Sequence, residues 1–116
     1  MSDVFVKPRI VVIEQDFTTT NSFASVKSDY FFVKAYRSKI IEVINEDDAN
    51  DLDLKILVSN DKTNWKTKVS STTLAAGSEP YVAVLTEPWL YIDVQVKSTV
   101  ADQQASGKAR VVASTL

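Results

Sequence analysis

Residues 39–65, KIIEVINEDDANDLDLKILVSNDKTNW, constrain the fold of this chain more than any other stretch. The apolar run 40–44 meets an acidic turn. Leu52, Leu54, Ile56 and Val58 then recur at every second position, and a polar turn over 59–64 closes on Trp65. Alternate residues of a strand point to opposite faces, so a period of two argues for strands. Two turns between three such segments predict an antiparallel meander.

The same pattern extends along the chain. Strands are expected over residues 4–6, 9–14, 23–28, 38–45, 52–59, 65–70, 81–86, 89–97 and 108–114, with a longer loop over 71–80 that holds Gly77 and Pro80. Pro8 has no backbone N–H to give to a ladder, which suits a sheet edge. In 89–97, Leu90, Ile92, Val94 and Val96 line one face, while Trp89, Tyr91, Asp93, Gln95 and Lys97 line the other. Residues 30–36 also fit a helical turn capped by Ser28 or Asp29, but their aromatic and β-branched content favours a strand. The expectation is an all-β chain: a single antiparallel β-sandwich or jelly-roll-like domain over residues 1–116, with about seven to nine strands. Residues 1–8 are a candidate N-terminal arm.

Composition excludes several function classes. The chain has no cysteine, hence neither disulfides nor thiolate metal sites, and no histidine, the commonest general base near neutral pH. A net charge of -2 gives no electrostatic case for nucleic acid or acidic lipid as partner. The apolar runs, such as 10–13, are at most five residues long, and the N-terminus lacks the features of a secretory signal. A soluble protein made in a cytoplasm is expected. With no Ser-His or Cys-His pair and no glycine-rich phosphate loop, an enzyme is not.

Four segments carry residues suited to chemistry. The acidic turn 46–53 has oxygens for calcium, but Leu52 falls where a ligand belongs and the glycine of a calcium loop is missing, so a solvated loop is the better reading. Ser59-Asn60-Asp61 leading to Trp65 resembles the aspartate-box hairpin of sialidases, without its glycine and one residue shorter; the resemblance implies turn architecture. Lys27 to Lys39 interleaves aromatic and basic residues, which suits stacking on single-stranded nucleic acid or, more simply, a core strand with charged neighbours. Trp89 and Tyr91, on the face opposite the aliphatic row, suit an interface, a sugar ring or the rim of the core.

The isoleucine-rich strand, Asn45, the acidic turn, Leu52-Asp53-Leu54-Lys55-Ile56, Ser59-x-Asp61 and Trp65 together resemble small β-sandwich structural proteins of tailed phages and related prokaryotic viruses. Capsid decoration (cement) proteins and head- or tail-associated proteins are among these. The resemblance covers about residues 38–115 as a strand-and-turn pattern. It implies a non-enzymatic virion protein, without cofactor or metal, that binds and stabilises an assembled shell. The implied partner is the major capsid protein or another virion protein, with a homo-oligomer, trimer favoured, as the working form. Val4, Phe5 and Val6 in the arm and Trp89 and Tyr91 on the sheet are the expected contacts; for 4–6 the alternative is a plain edge strand. Two other roles stay open: a tail or neck component, and a carbohydrate-binding or adhesin-like module stacking sugar on Trp65, Trp89 and Tyr91.

Overall fold

The computed structural model describes residues 9–115; Val4, Phe5 and Val6, the expected arm contacts, lie outside the described residues. Nine strands are formed among them: β1 (Ile10–Thr18), β2 (Ala24–Ser25), β3 (Phe31–Phe32), β4 (Ser38–Asn45), β5 (Leu52–Ser59), β6 (Lys66–Leu74), β7 (Tyr81–Leu85), β8 (Tyr91–Ser98) and β9 (Ser106–Ser114). They form two antiparallel sheets, ordered β1-β9-β4-β7 and β2-β8-β5-β6, with β3 also on β8. The all-β sandwich expected from the sequence is the fold observed.

β2 and β3 occupy the same edge of β8. Ala24 pairs with Val96 and Phe31 with Ile92, so three more residues lie between the two pairs on the β2–β3 side than on β8. Counted as one interrupted strand, β2 and β3 make this an eight-stranded, two-sheet jelly roll. Apart from that interruption, only β5 and β6 follow one another within a sheet; every other connection crosses to the opposite layer.

The expected meander is corrected on this point. β5–β6 is the hairpin that the Ser59–Asn64 turn predicts, but β4 and β5 lie in different sheets. The acidic segment between them is an arch. Asn45 Nδ2 donates to the carbonyls of Asn50 (3.0 Å) and Leu74 (3.2 Å), and Asp47 Oδ2 accepts from the amides of Ala49 (3.0 Å) and Asn50 (2.6 Å). These bonds satisfy the crossing backbone without strand pairing.

The core lies between the sheets. Ile41, Val43, Leu54, Ile56, Val58, Ile92, Val94, Val111 and the small Ala109 and Ala113 are buried there. Gly107 pairs with both Phe17 and Asn45, and a Cβ on it would lie 2.1 Å from the Ile44 carbonyl oxygen and 2.7 Å from Phe17 Cζ. Glycine permits that approach of neighbouring strands. Lys39 is fully buried on β4, and its ammonium donates to the carbonyls of Tyr36 and Glu87. Burial pushes its pKa down.

Residues 30–36 are neither a helix nor a full strand. β3 is two residues long, and Lys34 and Ala35 then take left-handed backbone angles (φ 55° and 56°) in a turn closed by Tyr36 N–H to the Val33 carbonyl (3.1 Å). β6 continues through Leu74, taking up part of the loop expected over 71–80, and β8 begins at Tyr91 instead of Trp89.

Candidate functional site

The turn after β5 is built by two side chains. Ser59 Oγ accepts from the amides of Asp61 (3.1 Å) and Lys62 (3.0 Å) and donates to Asp61 Oδ1 (2.9 Å). Asp61 Oδ1 accepts from the amides of Thr63 (2.9 Å) and Asn64 (2.8 Å), and Oδ2 from Asn64 Nδ2 (2.8 Å). The Asn64 and Thr63 amides, then the Asn64 and Ser59 side chains, hold the Asp61 carboxyl far below the usual carboxylate range. Trp65 folds back so that Nε1 donates to the Lys62 carbonyl (3.2 Å), and Tyr30 packs on its ring at 4.6 Å between centroids. This is the turn architecture the aspartate-box resemblance implied.

The turn separates two shallow hollows. One, of about 400 Å³, is lined by Ile13, Lys27, Asp29, Tyr30, Phe32, Lys62 and Tyr91. There Phe32 lies 5.4 Å from Tyr91, Lys62 Nζ sits 4.8 Å from the Tyr91 ring centre, and Lys27 pairs with Asp29 at 2.5 Å. The Lys27 hydrogen bond is the main cause of a lowered Asp29 pKa. The other hollow, of about 280 Å³, is lined by Asn60, Asp61, Asn64, Trp65, Lys66 and Trp89. Trp89 precedes β8; its Nε1 donates to Glu87 Oε1 (3.2 Å), and Lys68, which also pairs with Glu87, lies 5.8 Å from its ring centre. Lys68, then Trp89, lowers the Glu87 pKa.

Trp89 and Tyr91 therefore do not form one surface. Trp65 and Trp89 share a hollow, and Tyr91 belongs to the other. Each ring also has an internal neighbour: Tyr30 on Trp65, Lys62 on Tyr91 and Lys68 near Trp89.

Elsewhere the polar groups serve the scaffold. On the outer side of the second sheet, Asp53 Oδ1 accepts from the hydroxyls of Thr73 and Thr99, both at 2.8 Å, with Lys97 Nζ 3.6 Å from Oδ2. Asp93, 4% exposed, accepts from Gln95 Nε2 (2.8 Å) through Oδ2, while its buried Oδ1 has no hydrogen-bond partner. Burial raises its pKa. Among the described residues, no three His, Cys, Asp or Glu gather as a metal site.

One feature escaped the sequence reading. On the outer face of the β1-β9-β4-β7 sheet, Ile10, Val12, Ile40, Val82 and Val84 are all exposed. The register places Val12, Val112, Ile40 and Val84 side by side across all four strands. The signal was present as consecutive apolar pairs: a strand with Ile40-Ile41 or Val111-Val112 must present aliphatic groups on both faces.

No protein-family model matches the chain, and neither does any sequence among curated proteins. Solved structures do match its fold. It is similar to a Bacillus endospore appendage protein, one of "a novel family of disulfide-linked pili", at 9% identity and a TM-score of 0.59, over 100% of this chain and 96% of that one. It is also similar to part of the infectious bursal disease virus capsid protein in two particle structures. The VP2 subviral particle matches at 18% identity and a TM-score of 0.53, and the T=1 particle at 16% and 0.55. Each match covers 94% of this chain, which spans about one third of the capsid chain (33% and 32%). The fold is thus shared with subunits of a pilus and of a viral shell. Having no cysteine, these 116 residues cannot form disulfide links like those of the pili.

Proposed function

We propose that this chain is a non-enzymatic virion structural protein of the capsid-decoration kind, which binds an assembled shell and stabilises it. The observation that carries the reading is the jelly roll itself. It occupies nearly the whole described chain and is shared with building blocks of a viral shell and a pilus. The arrangement of polar groups supports it too, since the carboxylates of Asp47, Asp53 and Asp61 are engaged by the chain's own amides and hydroxyls. The mechanism is mass action: a protein that binds only the assembled lattice lowers the free energy of that state. The partner in this reading is the major shell protein, with Val4, Phe5, Val6, Trp89 and Tyr91 as contacts; the trimer that the resemblance implies would form on the shell, through surfaces other than the outer face of the four-stranded sheet. A tail or neck position would use the same surfaces.

A second reading, a carbohydrate-binding module, is favoured by the hollow that brings Tyr30, Phe32 and Tyr91 together beside Lys27, Asp29 and Lys62. One experiment separates the two. Purified chain is sedimented with empty shells of the virus that encodes it, and in parallel titrated with a glycan panel while tyrosine and tryptophan fluorescence are followed. The decoration reading expects saturable co-sedimentation at fixed stoichiometry, shells that disassemble at higher temperature and no response to sugars. Glycan-dependent quenching without shell binding would replace it with the second reading.

A further inference from the structure

The outer face of the four-stranded sheet is apolar along one row and charged along the next. Val12, Val112, Ile40 and Val84 form the apolar row, with Val12 51%, Ile40 37% and Val84 63% exposed. The adjacent row reads Glu14, Arg110, Glu42, Val82 by the same register. Arg110 Nε lies 3.6 Å from Glu14 Oε1, buried and without a hydrogen bond, and Glu42 makes no ion pair among the described residues.

We propose that this face binds a second copy of the chain, sheet against sheet, about a two-fold axis parallel to the strands and midway between β9 and β4. Such an axis keeps each row at its own height and reverses the strand order. β9 then faces β4 of the second copy, and β1 faces β7. Val112 packs on the partner's Ile40, Val12 on the partner's Val84, and Arg110 meets the partner's Glu42 twice, once in each direction.

Charge complementarity selects a copy of the same chain as the occupant. This axis brings Arg110 on β9 opposite Glu42 on β4 of the other copy in both directions, so the face holds its own complement at its centre. A two-fold axis across the strands along the apolar row would set β9 on β9 and leave Arg110 and Glu42 apart. With strands about 4.8 Å apart and a rise of about 3.3 Å per residue, the face offers roughly 600 Å² per copy. The total of about 1,200 Å² is at the lower limit for a specific interface, so the dimer is concentration-dependent. The inference rests on this face alone and does not require the shell-binding reading.

Sedimentation velocity of the full chain, from about one to several hundred micromolar, tests it. A reversible monomer–dimer equilibrium is expected, weakened at least about tenfold by Ile40→Lys or Val84→Lys. Arg110→Glu and Glu42→Arg each weaken association, and combining them restores it to within about threefold. Circular dichroism and a melting curve confirm that each variant is folded; the two lysine variants, on the solvent side of the sheet, decide the matter if a charge reversal disturbs the monomer. A chain that stays monomeric throughout overturns the proposal and leaves the face to a different protein or to residues 1–8. An oligomer indifferent to both lysine variants overturns it as well.

Discussion

Ser59 has no exposed surface, yet its hydroxyl oxygen accepts from two turn amides and its proton goes to Asp61. Removing that oxygen leaves two turn amides and the Asp61 carboxylate without their partner. Ser59→Ala should therefore lower stability by about 1–3 kcal/mol, read as an earlier urea midpoint with an unchanged slope. An unchanged midpoint would mean the turn is held by its backbone alone. Asp93 presents the opposite case, a carboxyl whose pKa burial raises. The native state then binds its proton more readily than the unfolded chain does, so the ionised form costs stability. That cost is present above the raised pKa and fades as pH falls through it toward the unfolded value. Asp93→Asn should melt higher than the parent at pH 7, with the gap closing by pH 3. A gap that persists at pH 3 would place its origin in packing and not in ionisation.

Turns carry the acid sensitivity at the scale of elements. Asp47 in the β4–β5 arch, Asp61 in the β5–β6 hairpin and Glu87 before β8 all have lowered pKa values, through hydrogen bonds from turn amides and, for Glu87, from Lys68. A depressed carboxyl contributes stability above its unfolded pKa and loses it as pH falls through the folded value, so the stability these connections contribute is complete above about pH 5 and declines as pH falls below about 4. The elements themselves were partly legible. β4 and β5 are legible residue for residue, β5 because its apolar positions alternate and β4 because a short β-branched run ends at the polar residues of the arch, but neither signal says which sheet the strand joins. Hence a meander was expected where the chain crosses layers. The end of β6 was missed because Ser70, Ser71, Thr72 and Thr73 carry no apolar alternation and Leu74 alone of that segment reaches the core. Lys39 reads as a surface residue, and only the fold shows the two carbonyls that receive its ammonium. The Trp65 hairpin was readable from local side-chain chemistry. The separation of Trp89 from Tyr91 was not, because it depends on Trp89 N–H turning back to the Glu87 carbonyl (2.9 Å) before β8 begins.

For the whole molecule, two sheets enclose a small core and leave two unlike outer faces. The β2-β8-β5-β6 face is polar, with Lys55 and Lys97 over the Phe23 ring and Asp53 bonded to Thr73 and Thr99. The β1-β9-β4-β7 face carries the aliphatic row. Such asymmetry suits a subunit with one side turned to protein and the other to solvent, and it needs cross-strand register to be seen at all. In the proposed function the chain is a component of an assembled particle and works through its surfaces. Quantitative mass spectrometry of gradient-purified particles from the source culture tests this. The chain is expected in the particle band at a fixed whole-number ratio to the shell subunit. Its absence from that band, with the protein recovered only in the soluble fraction, would rule that role out.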